Sequence, residues 1–351
     1  MPSEQVILSQ LDESSKRGVR PERARAALAG VAALEPTLRA LEAQLEEATR
    51  DAEPKLQAAA RHLVAAGGKR VRPTVTLLAA GACGGDLAAA VPYAAAAELT
   101  HSATLLHDDV IDDGPERRGR PASRVLWGNA VSVLSGDWLL TRALELVSAA
   151  PARSAALPAL LATMRRLVEG EVLQLSLRGT FAATEKDYLD VVAGKTGSLF
   201  GWAAAAGAWS AGLTGRIPEA LARFGEGVGL AFQLVDDALD YAADPRLLGK
   251  RLGTDLAEGK ATLPLLRACA AEPALRDRLA AVLEGEGPEA EAERVAAEVI
   301  AAVQRAGGVE AARALARQHT DAALDALALL PDGPYRTALR DAALALTERA
   351  Y

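Results

Sequence analysis

Cysteine is nearly missing from this 351-residue chain. Cys83 and Cys269 stand alone, too few for a disulfide framework and without the spacing of a zinc site. Aromatic residues contribute only 4% while alanine abounds, which suits closely packed helices better than sheets. There is no basic excess: the formal net charge of −7 argues against a nucleic-acid partner. That same field is unhelpful to an anionic substrate, which would need metal ions and local cations. No run of about 18 apolar residues free of charge or breakers demands a membrane span. The opening Met1-Pro2-Ser3-Glu4-Gln5 lacks the charged and apolar regions of a signal peptide, so a reducing cytoplasm is the expected location.

What is present is a 50% hydrophobic chain with 24% charged residues, ample for a sizeable core. Within it, Leu99 to Asp112 ends in His107-Asp108-Asp109-Val110-Ile111-Asp112, after an Ala-rich segment that reads as helix. Residues four apart share a helix face, so Asp108 and Asp112 present two carboxylates side by side, with His101, Thr104 and Leu105 on or near that face. Such carboxylates repel and call for a cation, and Mg²⁺ typically takes one or two of them and completes its shell with water and phosphate. A second copy follows far downstream: Gln233-Leu234-Val235-Asp236-Asp237-Ala238-Leu239-Asp240 repeats the spacing, with Gln233 one turn ahead. One such cluster reads as a solvated charged face; two identical ones in apolar sequence do not. Two acidic helices facing each other would hold several Mg²⁺ ions, whose natural ligand is a diphosphate.

Taken in order, residues 1–20 are polar and expected to be flexible. A helical pattern begins near Glu22 (Leu28, Val31, Leu34, Leu38, Leu41, Leu45), with a break or restart at Pro36. A helix stop at Gly67-Gly68 leads into Lys69-Arg70-Val71-Arg72-Pro73, where glycines and three cations make an anion cradle. Asp113-Gly114-Pro115 is turn chemistry, and the loop beyond it carries Arg117, Arg118 and Arg120. Helix is expected from about Trp127 through Leu144. Glu169 to Leu175 reads as a polar patch on a buried-looking helix that supports the site. Gly194-Lys195-Thr196-Gly197 interrupts a helical segment from Glu185 to Gly212, and it lacks the pattern of a nucleotide-binding loop. Gly249 to Pro264, with Lys250 and Lys260, is a Gly-rich charged connector that could close on a phosphate. From Pro264 the pattern is amphipathic helix, with breaks near 285–288, 307–308 and 331–334. No convincing strand appears, so one all-α domain over 21–351 is expected.

Assembled, these motifs resemble the trans-polyprenyl diphosphate synthases of the polyprenyl synthetase family, from about Gly67 to Leu266. The resemblance implies a single large helical bundle of the isoprenoid synthase type with a central apolar cavity. It also implies Mg²⁺-dependent, head-to-tail, trans transfer of an allylic diphosphate's prenyl group onto isopentenyl diphosphate, with three ions once substrate is bound. The motif aspartates Asp108, Asp109, Asp112, Asp236, Asp237 and Asp240, together with Lys195, would then be catalytic, and Asp108, Asp112 and Asp236 would hold the metal. Arg117, Lys195, Thr196, Gln233, Lys250 and Lys260 would contact the allylic diphosphate. Lys69, Arg72, His101 and Arg118 would grip isopentenyl diphosphate, and Arg70 sits in the same motif with a less defined part.

Product length follows from what lies behind Asp108. Ala103 and Thr104 are small where short-chain relatives place a bulky aromatic, and Tyr93 stands fifteen residues back, about 22 Å at helical rise. A long-chain product is expected, as in octaprenyl and solanesyl synthases; a farnesyl or geranylgeranyl synthase, or a non-catalytic subunit of a heteromeric synthase, is the alternative. A terpene cyclase is disfavoured by the second Asp-Asp-x-x-Asp. The resemblance further implies a homodimer with transient membrane contact for product release.

Overall fold

The computed structural model describes residues 33–50, 52–179, 181–242, 254–283 and 289–347. The expected flexible N-terminus, the start of the first helical pattern and Lys250 fall outside them. The all-α expectation holds: the described elements run α1 (Glu35–Ala48), α2 (Pro54–Ala65), α3 (Val71–Ala82), α4 (Leu87–Ile111), β1 (Glu116–Arg117), β2 (Arg120–Pro121), α5 (Ser123–Trp127), α6 (Asn129–Ala149) and α7 (Arg153–Leu177). They continue through α8 (Glu185–Val192), a π turn (Ala193–Gly197), α9 (Ser198–Ser210), α10 (Arg216–Ala242), α11 (Thr254–Ala257), α12 (Leu263–Ala271), α13 (Ala274–Leu283), α14 (Glu289–Arg305), α15 (Gly308–Ala326) and α16 (Pro334–Thr347).

Local chemistry sets these limits. Pro36 occupies the first turn of α1, where its missing N–H costs nothing, so it suits the start of a helix. Glu53 caps α2 by accepting from the backbone N–H of Lys55 and Leu56, and Gly67 (φ 75°) ends it in the left-handed conformation. Asp86 opens α4 by accepting from Ala88 N–H.

The described residues fall into two compact units. The first gathers the chain up to Ala162 with Leu199–Gly225 and Leu324–Ala345. Its centre is α4, buried nearly all round from Ala94 to Thr100, against which α1, α3 and α6 pack. Alanines bring those backbones close. Glycines do the same where α9 meets its neighbours: a Cβ on Gly207 would lie 2.5 Å from the Thr76 carbonyl oxygen, and one on Gly225 would lie 2.2 Å from that of Phe200. Because backbone cannot step aside as a side chain can, Gly225→Ala is expected to destabilise the protein by about 1–3 kcal/mol, read as a lowered urea midpoint; an unchanged midpoint would contradict this crossing.

The second unit gathers Thr163–Ser198, Glu226–Ala323 and the chain from Leu346. Its core joins Tyr188 and Val192 of α8, Leu234 and Tyr241 of α10, and Leu263, Leu265, Val299 and Val303 of the following helices.

Five local expectations are corrected. β1 and β2 form a two-residue hairpin, Arg117 opposite Arg120, turning through Arg118 (φ 55°) and Gly119 (φ 71°), both left-handed as the tightest hairpins require; strands this short show no alternation to read. Helix begins at Ser123 and pauses at Gly128 (φ 84°), four residues before the expected start. The Gly194 segment does not interrupt its helix but widens it into the π turn. A further break at Pro273 separates α12 from α13. The stretch 169–175 is buried on one face only: Gly170 is buried, while Val172 is 59% and Leu175 40% exposed.

Candidate functional site

In the first unit, α4 delivers the first acidic triplet at its C-terminal end. Asp108 and Asp112 are half-buried on one face, and Asp112 caps the helix by donating its N–H to the Asp108 carbonyl at 2.8 Å. Asp109 points the other way into the protein, 1% exposed. Arg117 of the hairpin donates to it through Nε at 2.7 Å and Nη2 at 2.6 Å. Burial pushes its carboxyl pKa up and Arg117 opposes the shift. The neighbouring His107 lies against Gly136 of α6, its Nε2 3.1 Å from the Val133 carbonyl oxygen.

Behind this end lies a cluster of guanidiniums. Arg70 begins α3 in the left-handed conformation (φ 46°) and turns inward. It donates to Glu98 at 2.7 Å, to both oxygens of Glu42 at 2.9 and 3.1 Å, and to the Val64 carbonyl at 2.9 Å. Four of its N–H groups are thus spent within the fold, and the grouping of Arg70 with substrate contacts gives way to a structural part. Arg118 donates to the Gly67 and Leu63 carbonyls and stands 3.8 Å from Glu98. Arg72 lies over the Phe200 ring, 4.6 Å from its centre, with a buried Nε that has no partner within the described protein. Burial first, with Arg118 adding to it, lowers the Arg72 pKa to about 10 although Glu98 opposes the change. Burial and the surrounding Arg72, Arg118, Arg117 and Arg70 drive the His101 imidazole well below its ordinary value, so it is neutral at pH 7. Lys69 is exposed beside them. One buried carboxylate, Glu98, faces three guanidiniums, an arrangement suited to receiving an anion.

In the second unit, α10 carries the other triplet. Asp236 is exposed, Asp240 half-buried and Asp237 buried. Asp237 accepts from Gln233 Nε2 and from the Tyr188 hydroxyl, each at 2.7 Å, while Thr196 donates to Gln233 Oε1 at 3.1 Å. Burial pushes the Asp237 carboxyl up to about 7 despite those hydrogen bonds, and Asp236 and Asp240 push the same way. Asp255, whose N–H donates to Asp240 at 3.1 Å, is likewise raised, by burial and then by Asp237 and Asp240. Lys195 of the π turn is held by Gln174 at 2.7 Å and by Glu171 of α7, which gives the 169–175 patch its supporting part. Gly170 and Gly194 let α7 and the π turn touch, since a Cβ on Gly194 would lie 2.8 Å from the Arg166 carbonyl oxygen. Lys260 pairs with Glu258.

Among the described residues no three His, Cys, Asp or Glu side chains converge into a ready-made metal cage. Asp108 with Asp112, and Asp236 with Asp240, each pair on one helix face, are the donor sets that would take a divalent cation together with phosphate oxygens. Tyr188, Glu98 and Asp255 escaped the sequence reading, because a lone tyrosine, glutamate or aspartate outside a repeated motif carries no local signal. No described helix is long and apolar enough to cross a membrane.

Comparison with known proteins identifies the family. The polyprenyl synthetase family pattern matches residues 53–302. The octaprenyl diphosphate synthase of Escherichia coli (strain K12) is 41% identical over 281 residues, covering 79% of this chain and 85% of that protein. The short chain isoprenyl diphosphate synthase of Methanothermobacter thermautotrophicus is 37% identical over 313 residues, covering 88% and 95%. The crystal structure of a polyprenyl synthase from Caulobacter crescentus CB15, complexed with calcium and isoprenyl diphosphate, superposes with a TM-score of 0.83 at 39% identity, over 92% of this chain and 98% of that one. With both aspartate triplets and the basic turn inside the matched region, the chain belongs to the polyprenyl synthetase family of enzymes and has its isoprenoid-synthase helical fold.

Proposed function

We propose that this enzyme is a Mg²⁺-dependent trans-prenyltransferase that condenses an allylic diphosphate with isopentenyl diphosphate repeatedly, to a long-chain polyprenyl diphosphate. The observation that carries this reading is the division of labour within each triplet: the middle aspartate is buried and hydrogen-bonded, while the flanking pair shares a more accessible face. In this reading Asp108, Asp112 and Asp236 hold Mg²⁺ on the allylic diphosphate, and Arg117, Lys195, Thr196, Gln233, Lys250 and Lys260 contact the same substrate. Lys69, Arg72, His101 and Arg118 grip isopentenyl diphosphate, with Arg70 and Glu98 beneath them. When bound, Mg²⁺ supplies positive charge to the departing diphosphate. The lysines and Arg117 add fixed cations where charge develops. The isopentenyl double bond attacks the allylic carbon, and the proton is lost to the released diphosphate, so no protein nucleophile is needed. Water must be excluded to protect the carbocation.

Incubation with Mg²⁺, isopentenyl diphosphate and farnesyl diphosphate, followed by sizing of the products, tests the assignment. Chains well beyond twenty carbons are expected. Products that stop at twenty carbons would assign the short-chain alternative, and no extension of farnesyl diphosphate or of a shorter allylic diphosphate would end the reading.

The length of the product is supported by α4. Ala103 is fully buried, Thr104 is half-buried, and Tyr93 is fully buried with its hydroxyl accepting from Ala152 N–H at 2.9 Å. Ala103→Phe is expected to shift the product distribution to chains shorter by several isoprene units; an unchanged distribution would remove α4 as the channel wall. A homodimer is part of the same proposal, and the exposed Val125 and Leu126 of α5 and Val133 and Leu134 of α6 are apolar side chains that a second copy could cover. A cytoplasmic site of action, with transient membrane contact as product leaves, completes the proposal.

A further inference from the structure

Tyr188 belongs to no aspartate motif and no basic turn, yet its hydroxyl ends a continuous hydrogen-bonded chain. Thr196 Oγ1 donates to Gln233 Oε1 at 3.1 Å, which fixes the amide so that Nε2 donates to Asp237 Oδ1 at 2.7 Å. Tyr188 donates to the other oxygen, Oδ2, also at 2.7 Å. Both carboxylate oxygens are therefore satisfied from within the second unit, by donors on two different elements. Tyr188 and Asp237 are 5% and 4% exposed, so the hydrogen bond between them is not readily replaced by solvent.

The consequence is angular. At about 100° per residue, Asp236 and Asp240 lie about 40° apart around α10, and Asp237 lies about 60–100° away from them. Clamping Asp237 from both sides therefore sets the direction in which the Asp236 and Asp240 carboxylates point. The surrounding charge favours the clamp: Asp236 and Asp240 act on the Asp237 carboxylate, and Asp236 and Asp255 act on Tyr188. The π turn supplies Thr196 at one end of the chain and follows directly on α8, which supplies Tyr188 at the other.

We infer that Tyr188 is a positioning residue: acting through Asp237, its hydroxyl orients the second aspartate triplet to receive a divalent cation together with a diphosphate. This rests on the function proposed above for Asp236. Outer partners of this kind are worth about 10- to 100-fold in metal affinity.

The test reads binding separately from turnover. Thermal melting of the full chain is followed while Mg²⁺ is titrated at fixed inorganic pyrophosphate, for the wild type and for Tyr188→Phe. The wild type is expected to be stabilised, and Tyr188→Phe to need about 10-fold more Mg²⁺ for half of that stabilisation. A tyrosine that merely packs would lower the melting temperature without ligand and leave the Mg²⁺ midpoint where it was; that result overturns the inference. If Tyr188→Phe does not fold, Thr196→Val, which removes the hydroxyl at the far end of the chain, must move the midpoint the same way, and an unmoved midpoint counts against it. Where both variants fold, their combined effect is expected to be smaller than the product of the two, because they break one chain; independent effects would also refute it. A wild type that binds Mg²⁺ and pyrophosphate but makes no prenyl product refutes the proposed function and leaves the Tyr188 result readable.

Discussion

Replacing Arg70 with methionine is expected to destabilise the protein by about 3–5 kcal/mol, as a loss of urea midpoint at pH 7. Its side chain is 2% exposed and that of Glu98 3% exposed, with 2.7 Å between them. Removing the guanidinium takes the nearest partner from a carboxylate held in the core and leaves Arg118, at 3.8 Å, as the next cation. Burial acts to lower the Arg70 pKa, but Glu98 and Glu42 together outweigh it and the pKa rises, so the cation is firmly held. Methionine matches the unbranched stem, and the left-handed backbone at position 70 strains both residues alike. The effect therefore reports the charge. Adding Glu98→Gln to Arg70→Met should return part of the lost stability, because the stranded charge is then gone. It should not return all of it, since Arg72 and Arg118 also lean on Glu98. A loss below about 1 kcal/mol for Arg70→Met would mean that solvent reaches this pair, as it does exposed ones.

Asp108→Asn is expected to lower kcat by about 100- to 1000-fold, the range seen when one pre-placed electrostatic contact to developing charge is deleted. Its melting temperature should stay close to that of the wild type, because Asp108 is half-buried at a helix end. Asp109→Asn makes the contrast. Asp109 is buried against Arg117, so its replacement should register first as lost stability and a loosened hairpin. If Asp108→Asn retains more than about a tenth of wild-type turnover at saturating Mg²⁺, the first triplet does not carry the leaving group.

Much of this site could be read from the chain itself, for reasons that can be named. A repeated Asp-Asp-x-x-Asp is legible because helical periodicity converts spacing into direction: Asp108 and Asp112 do share a face. The turn at Gly67 was legible because glycine and clustered cations are local signals. Arg70 and Arg72 were not separable, although only two positions apart. One turns into Glu98 and Glu42 and the other lies over Phe200, a distinction made by partners 28 to 128 positions away. Tyr188 was silent for the same reason, since its partner lies 49 positions on. The exposed face of α7 misled in the opposite sense. Val168 and Val172 look like core in a list of residues, and solvent exposure is not written in composition.

The π turn also has a bearing on how this protein can change. Ala193–Gly197 accommodates one residue beyond what a regular helix would take there. Because the wide turn absorbs that residue locally, deleting one residue within it would return a regular helix and leave the helical stretches on either side nearly in place. What would be lost is the wide turn itself, which carries Lys195 and Thr196. This stretch is therefore a place where the chain can change length by one without displacing the elements it joins.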